Sequence, residues 1–218
     1  MRTLYKLTVC LFLFFSCVGQ VCGQVFDDWE GRSGIAIEHE FENGIGIRAR
    51  YRHYLDDNLS HYKKSVFGIK VDYDVRITSW LKPGIDYRYR YNSKESSHDI
   101  RYFVKVNHEM GNDFELEYSL KFQQVLASNQ NPEFYVRNEV ELKYLIDKFW
   151  SVFIFTENYQ KINGGLNFDT QKNGLGTEYK IDNANELEFK FDVKNKSNHK
   201  DIARLTLSYT VVLSRIKR

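Results

Sequence analysis

Residues 114–123, with the sequence FELEYSLKFQ, decide the fold of this chain. Apolar and polar residues alternate along them without a break, and one face carries Phe114, Leu116, Tyr118, Leu120 and Phe122. A period of two places successive side chains on opposite faces of a β-strand, whereas a helix would spread these residues around its circumference. The stretch therefore predicts a strand with one apolar face and one charged face.

The same alternation extends in both directions, from about Gly31 to about Leu213. It predicts an all-β chain with strands at residues 35–42, 45–52, 67–76, 85–91, 100–108, 114–123, 134–145, 150–159, 175–181, 187–193 and 203–213. Most of these segments run about 9 to 12 residues, the length that a tilted strand needs to cross the hydrocarbon core of a bilayer. No apolar run after residue 23 is long enough for a membrane helix, so a membrane role would have to use strands.

The predicted connections alternate in length. Short turns are expected at residues 43–44, 82–84, 111–113, 146–148 and 182–185, and longer polar links at 55–64, 92–99, 127–133, 161–172 and 195–201. Short periplasmic turns alternating with longer outer loops are typical of an outer-membrane barrel. The sequence thus predicts a single up-and-down antiparallel transmembrane β-barrel with a charged lumen, formed by residues 24–218.

The strand number is expected to lie between ten and twelve. Single-chain bacterial barrels normally have an even number of strands, which conflicts with eleven segments. Either residues 24–30 form a short first strand, which gives twelve, or one segment is not a strand, which gives ten. We expect twelve.

Residues 1–23 read as a secretory signal peptide. Arg2 and Lys6 precede an apolar run that is too short to span a bilayer, and Val21 and Gly23 suit the small positions before a cleavage site. We expect cleavage after Gly23 and export to the outer membrane of a Gram-negative cell. The alternative is a lipoprotein acylated at Cys17 or Cys22, but the bulky residues Phe14 and Phe15 do not fit such a site.

Thiol content and net charge exclude several classes of function. The three cysteines, Cys10, Cys17 and Cys22, all lie in the expected signal peptide, so the mature chain would have no disulfide and no thiolate site. Formal charge is 31 − 29 = +2, and removal of Arg2 and Lys6 leaves 29 − 29 = 0. A neutral chain lacks the basic excess that nucleic-acid binding requires.

The two strand faces suggest opposite environments. The apolar face would contact lipid, and aromatic residues near strand ends would form interfacial girdles, with candidates at Tyr54, Trp80, Tyr91, Tyr144, Trp150 and Tyr159. The alternative is a soluble, lipocalin-like barrel in which the apolar face is the interior and carries an apolar ligand.

The charged face would line the lumen of a membrane barrel. The expected lining residues are Glu38, Glu40, Arg48, Arg50, Arg88, Arg90, Glu115, Glu117, Arg137, Glu139, Glu141, Glu178, Glu188 and Lys190. The first hairpin could form a ladder, because three carboxylates on one strand would face three guanidinium groups on the next. Such pairs would fill and stiffen the lumen, or a subset would form a selective constriction for a small polar solute.

Residues suited to catalysis are found mainly near the expected outer loops. His53, His61, His98 and His199 lie close in sequence to Asp56, Asp57, Ser60, Ser96, Ser97 and Asp201. Polar loops contain such residues in any case, and neither they nor His39 and His108 have the spacing of a metal site. We therefore expect no catalytic site, no metal and no cofactor, with a barrel hydrolase or acyltransferase acting on lipid as the third alternative.

Several segments together resemble a family of small, uncharacterised bacterial outer-membrane barrels catalogued as a domain of unknown function. They are Trp29, RARYRHY ending at Tyr54, WLKPGIDYRYRYN from Trp80, FYVRNEVELKY from Phe134, FTENY from Phe155, GTEYKIDNANELEFKF from Gly176 and the final LTLSYTVVL. The resemblance implies an outer-membrane barrel and supplies no substrate or catalytic residue.

The sequence thus favours a monomeric outer-membrane barrel that acts as a narrow polar channel or as a structural envelope component. Its expected partners are outer-membrane lipid and the outer-membrane insertion machinery. A soluble periplasmic carrier and a barrel enzyme remain as alternatives.

Overall fold

The computed structural model describes residues 28–56, 59–75, 78, 80–92, 95–128, 130–162, 165–197 and 201–214. The predicted signal peptide lies outside these described residues. Within them every regular element is a strand, in the order β1 (Asp28–Glu40), β2 (Ile45–Asp56), β3 (His61–Tyr73), β4 (Leu81–Tyr91), β5 (Ser96–Met110), β6 (Phe114–Ala127), β7 (Glu133–Leu145), β8 (Trp150–Ile162), β9 (Leu166–Lys180), β10 (Asn185–Lys196) and β11 (Ile202–Ser214). The described residues include no helix of the length and apolarity needed to span a membrane.

The strands close into one barrel. Each strand pairs antiparallel with the next, and β1 pairs with β11 to complete the circle. This confirms the predicted all-β, single-barrel fold, and the eleven strands fall within the expected ten to twelve. The best guess of twelve is wrong, because Asp28 and Glu30 belong to β1 and do not form part of a separate first strand.

The seam between β1 and β11 is parallel, with Asp28 opposite Ile202 and Ile37 opposite Val211. An odd number of strands that alternate in direction leaves the first and last strands running the same way. The prediction of an antiparallel barrel is therefore wrong at this one joint and holds at the other ten.

The connections are short at both ends of the barrel. The lower end carries residues 41–44, 74–80, 111–113, 146–149 and 181–184, and the upper end carries 57–60, 92–95, 128–132, 163–165 and 197–201. The predicted links at 127–133 and 195–201 agree with the structure to within two residues. Those at 55–64, 92–99 and 161–172 are wrong, because the strands extend into them, and β9 already begins at Leu166. The predicted turn at residues 82–84 is also wrong, since Pro83 lies inside β4 and pairs in register with Val104.

Turns at the lower end form where side chains cap backbone groups. Gly44 has a φ of +89°, which glycine adopts readily, and the Ile45 N–H donates to Asn43 Oδ1 at 3.1 Å. In the connection at residues 181–184, Asp182 accepts hydrogen bonds from the Ala184 N–H at 2.7 Å and from Asn185 Nδ2 at 2.8 Å. These bonds lower the pKa of the Asp182 carboxyl, the Asn185 side chain contributing most.

Every strand exposes apolar side chains on the outer surface, as the alternation predicted. Ile35 is 62% exposed, Ile154 is 59% exposed and Leu207 is 48% exposed. Phe114 is also exposed, whereas Lys105 Nζ donates to Glu117 Oε1 on the opposite face at 2.6 Å. The apolar face is therefore the outside of the barrel, and the charged face is the inside.

Three phenylalanine rings occupy the inner wall beside glycines of neighbouring strands. A Cβ on Gly84 would lie 2.3 Å from Phe103 Cζ and 2.5 Å from the Val71 carbonyl oxygen. The same relation holds between Gly176 and Phe153 and between Gly174 and Phe155. Each ring lies in the space that a side chain on the neighbouring strand would otherwise take, an arrangement that stabilises strand glycines.

Substitution Gly84→Ala should destabilise the barrel by roughly 1–3 kcal/mol, because the added methyl group must displace Phe103 or the backbone of β3. The unfolding midpoint of the refolded protein, followed by its heat-modifiable mobility in gels, measures this. Gly165→Ala is the matched control, since a Cβ at Gly165 meets nothing within 4 Å. Equal midpoints for the two variants would contradict the packing role of the glycine.

Candidate functional site in the barrel lumen

Ion pairs inside the barrel join strands that are not neighbours. Arg50 on β2 contacts Asp86 on β4 at 2.5 Å, and Lys143 on β7 contacts Glu178 on β9 at 2.8 Å. A pair that spans an intervening strand can form only on the concave side of the sheet. The lumen is therefore the part of the molecule where functional side chains converge.

Arginine dominates the wall formed by β2 to β5. Asp86 accepts hydrogen bonds from Arg50 at 2.5 Å and from Arg88 at 2.6 Å. Asp99 is fully buried and accepts from Arg101 at 2.7 Å and from Arg90. Each buried carboxylate thus holds two guanidinium groups, which compensates the cost of removing these charges from water.

Glu157 organises the opposite wall. Its carboxylate accepts hydrogen bonds from Arg137 and from Lys172 Nζ at 2.9 Å, and Lys121 Nζ lies 3.6 Å away. The Arg137 guanidinium and the Lys172 ammonium also lie 4.2 and 4.1 Å from the centre of the Tyr159 ring. One buried carboxylate therefore serves three cations from three different strands.

Arg204 forms a further cluster of charges on β11, next to the seam with β1. Its guanidinium is almost fully buried, 3.4 Å from Glu30 and 3.3 Å from Asp192. Together, the Asp86, Asp99, Glu157 and Arg204 clusters form what we call the polar belt, composed of Glu30, Asp86, Arg88, Asp99, Arg101, Arg137, Glu157, Lys172, Asp192 and Arg204. The belt residues lie on eight of the eleven strands.

Most of the predicted lumen residues have a paired partner. Glu38 contacts Arg48 at 2.5 Å, Glu141 contacts Lys143 at 3.9 Å, and Glu139 accepts a hydrogen bond from Lys121. Lys190 Nζ lies 3.5 Å from the centre of the Phe155 ring. The structure places Glu40 at the lower end of β1, and Glu115 and Glu188 line cavities.

The ladder expected in the first hairpin is wrong beyond its first pair. The register places Glu38 opposite Arg48, but Ala36 lies opposite Arg50 and Gly34 opposite Arg52. The carboxylates and guanidinium groups of the two strands are offset along the barrel. Arg50 therefore forms its ion pair with Asp86 on β4. The sequence shows which face a residue occupies, but the register appears only when the turn is known.

Sequence reasoning left important belt residues out of the predicted lining. The sequence predicts Asp99 in a connection, whereas it lies inside β5. Glu157 lies in the FTENY segment, where Thr156 and Asn158 on both sides hide the alternation. The even spacing of Phe153, Phe155, Glu157 and Tyr159 is the signal that could have identified it.

Two of the predicted girdle tyrosines lie in the lumen. Tyr54 is 7% exposed, and the Arg32 guanidinium and Lys64 ammonium lie 4.8 and 5.2 Å from its ring centre. Tyr159 packs in the polar belt. Both tyrosines lie on the same strand face as charged residues. A residue's position in the two-residue alternation decides whether its side chain lies inside or outside the barrel. Trp80, Tyr91 and Trp150 are exposed, as expected of girdle residues.

The candidate catalytic residues do not form a triad in the described part of the chain. Ser60 Oγ and His61 Nδ1 lie 2.7 Å apart but are exposed sequence neighbours, and Asp56 contacts Lys63 at 3.0 Å. His98 Nδ1 contacts the Tyr87 hydroxyl at 2.7 Å. Asp57 and His199 lie outside the described residues. Among the described residues there is no group of three His, Cys, Asp or Glu side chains suited to a metal ion.

Cavities lie along the inner wall of the barrel, and two of them have charged linings. The first, near the middle of the barrel, is lined by Gly34, Ile35, Ala36, Arg48, Arg50, Arg52, Glu178, Glu186, Glu188, Ser208 and Thr210. The second, nearer the lower end, is lined by Asn107, His108, Glu109, Glu115, Leu116, Glu117, Glu141 and Lys143. Both have charged linings, so the space inside the barrel suits polar molecules.

Comparison with known proteins finds similarity in structure only. No family model matches the chain, and no curated protein matches its sequence. The resemblance to a family of small outer-membrane barrels therefore stays a prediction. The barrel is similar to a KdgM porin (TM-score 0.48) and to a KdgM porin in complex with disordered oligogalacturonate (TM-score 0.47). Each porin is 13% identical to this chain in sequence. The aligned region covers 76% of this chain and 84% of the porin chain. The fold assignment rests on the strand pairing itself.

Substitution Glu157→Ala should destabilise the barrel by about 3–5 kcal/mol, since it leaves buried cations without a carboxylate. Glu133→Ala is the control. Glu133 pairs with Lys161 at the more exposed upper rim, where loss of an ion pair costs about 0–1 kcal/mol. Denaturant unfolding of both refolded variants measures the difference. A Glu157→Ala barrel as stable as the control would show that the belt does not depend on this carboxylate.

Proposed function

We propose that the protein is an outer-membrane barrel that forms a narrow channel for small polar solutes. One observation carries the proposal: a closed sheet has its apolar side chains outside and its ion pairs inside. Only helices and closed barrels satisfy all backbone hydrogen bonds within a membrane. A polar, cavity-bearing lumen in such a barrel is suited to passing or binding polar molecules.

The apolar outer surface supports contact with lipid. Large apolar side chains are exposed on all eleven strands, including Ile37, Phe67 and Leu120. A soluble protein rarely exposes a continuous apolar surface of this extent. A lipocalin-like carrier would have the opposite arrangement, with its apolar face inside and its charges in water.

A polar patch interrupts the apolar outer surface near the middle of β7 to β9. Its outward positions are taken by Asn138, Thr156, Asn158, Gln171 and Asn173, and above it on β9 the surface exposes Leu166 and Phe168. Thr156 Oγ1 donates to Asn173 Oδ1 at 2.9 Å, and the Tyr118 hydroxyl donates to Asn138 Oδ1 at 2.8 Å. Nearer the lower end the same strands expose Val140 and Ile154. Exposed apolar residues therefore lie on both sides of the polar patch, so the patch does not mark an end of the apolar outer surface.

The proposal does not include catalysis. Ser60 and His61 are exposed sequence neighbours at the upper end of the barrel, and Asp56, which lies opposite His61 in the register, contacts Lys63. The proposed partners are outer-membrane lipid and the insertion machinery, with the barrel acting as a monomer.

Substitution Ile154→Arg should impair folding into lipid vesicles by roughly 2–4 kcal/mol, the cost of a cationic side chain on the lipid face near mid-membrane. Ile154→Leu is the control and should fold as the unmodified chain does. Urea titration of folding into phosphatidylcholine vesicles measures both. Equal folding of the two variants, or recovery of the unmodified protein in the soluble periplasmic fraction without detergent, would contradict the membrane placement.

Substitution Tyr54→Ala should increase single-channel conductance in planar bilayers, because it removes a buried ring that narrows the lumen. The unmodified barrel should give small, discrete current steps. Tyr91→Ala is the matched control, since the Tyr91 ring is 54% exposed on the outer surface and its loss should leave conductance unchanged. Silent bilayers for both the unmodified barrel and the Tyr54→Ala variant would contradict the channel and favour a structural envelope role.

A further inference from the structure

Near the upper end of the barrel, a tyrosine of the lumen is flanked by cations. The cross-strand partners of Tyr54 on β2 are Arg32 on β1 and Lys64 on β3. The Arg32 guanidinium lies 4.8 Å and the Lys64 ammonium 5.2 Å from the centre of the Tyr54 ring. Arg52 lies two residues before Tyr54 on the same inner face, and it has no charged cross-strand partner. We call Arg32, Arg52, Tyr54 and Lys64 the Tyr54 cluster.

The three cations of this cluster have no counter-ion in direct contact. Within the described ranges, Arg32, Arg52 and Lys64 form no ion pair. Arg32 Nε is buried and has no hydrogen-bond partner among the described residues. The charged side chains that act most strongly on the Tyr54 hydroxyl are all cations, namely Arg32, Arg52, Arg88 and Lys64. The cluster is therefore a region of excess positive charge around one hydroxyl group.

The carboxylates that reach Arg32 do so only beyond ion-pair distance. Glu30 and Asp192 interact electrostatically with Arg32. Glu30, however, is paired with Lys63 at 2.6 Å. Asp192 is paired with Arg204 at 3.3 Å. Both carboxylates are thus shared with cations that lie closer to them than Arg32 does.

The charges of Arg52 and Lys64 are compensated less than fully. Arg52 interacts electrostatically with Glu188 on β10, and Glu188 also acts on Arg48. The charged side chain that acts most strongly on Lys64 is Arg90, which is itself a cation. The carboxylates of the inner wall therefore offset the positive charge of the Tyr54 cluster only in part.

We propose that the Tyr54 cluster binds a phosphate group of a solute at the upper end of the lumen. Arg32 and Arg52 would donate hydrogen bonds from their guanidinium groups, Lys64 from its ammonium group and Tyr54 from its hydroxyl. Four donors on three strands suit a tetrahedral anion, and a phosphate monoester carries a charge of about −1.5 to −2 near neutral pH. A carboxylate has two oxygens and one charge, so it would leave part of the cluster without an acceptor.

This inference deepens the proposed channel function and rests on it for the route by which phosphate reaches the cluster. The test is isothermal titration calorimetry on the barrel in a non-ionic detergent and a phosphate-free buffer, with inorganic phosphate as the probe. Phosphate should give saturable heat. Acetate should bind roughly ten-fold more weakly or less, because it accepts fewer charge-assisted hydrogen bonds.

Two charge variants test the cations. Arg32→Gln and Lys64→Gln should each weaken phosphate binding roughly ten-fold, because each removes one charge-assisted hydrogen bond. Heat-modifiable gel mobility checks the fold of each variant. Lys161→Gln is the matched control, since it removes one positive charge at the upper end of β8, outside the cluster, and should leave binding unchanged. Equal binding of acetate and phosphate, or unchanged binding in both cluster variants, would overturn the proposal.

A third variant tests the hydroxyl without removing the buried ring. Tyr54→Phe should weaken phosphate binding several-fold, because it deletes one hydrogen-bond donor and keeps the packing. Tyr91→Phe is its control, since the Tyr91 ring is exposed on the outer surface. The same phosphate affinity in Tyr54→Phe and in the unmodified barrel would place the anion away from this hydroxyl and contradict the site.

The outcomes distinguish this inference from the channel proposal. A barrel that binds phosphate but stays silent in bilayers contradicts the channel and retains the site. A barrel that conducts but gives no saturable heat with phosphate contradicts the site and retains the channel.

Discussion

Charge pairing on a concave surface is the interaction on which this structure depends. The sheet alternates with a period of two, so an apolar outer face forces every second residue into the lumen. Those residues are mostly charged, and a buried charge is costly unless it is paired. Three buried carboxylates meet this requirement. Asp86, Asp99 and Glu157 each form ion pairs with two or three cations from different strands. The pairs thus help to fix the distance between strands that share no backbone hydrogen bonds.

The sequence predicted features that depend on periodicity and missed those that depend on register. Residues 114–123 showed the strand and its two faces, and the same reasoning placed the apolar side of the barrel outside. The offset of Arg50 from any carboxylate on β1 could not be predicted, because it requires the register of the first hairpin. Likewise, polar residues near the upper strand ends suggested loops, although strands pair through their backbones and need no apolar face for it.

The candidate site shows the same division. The two-residue alternation along a strand predicts which side chains face the lumen. Arg48, Glu178 and Glu188 could therefore be predicted from the sequence alone. The cavity between β2 and β10, in contrast, is bounded by small residues on β1 and β11 that carry no chemical signal themselves. Gly34 and Ser208 line it only because the parallel seam brings their strands together between β2 and β10. Pairing between the first and last strands cannot be read from local sequence patterns.

The parallel seam also bears on how the barrel assembles and where it would open. Every other joint connects strands that follow one another in the chain and can form as hairpins, whereas the seam joins Asp28 to Ile202 from opposite ends of the described chain. Contacts between distant residues have the largest loop-closure cost, and parallel pairs are slightly less stable per residue than antiparallel ones. The seam is therefore the joint that closes last during folding and exchanges its amide protons first in the folded barrel.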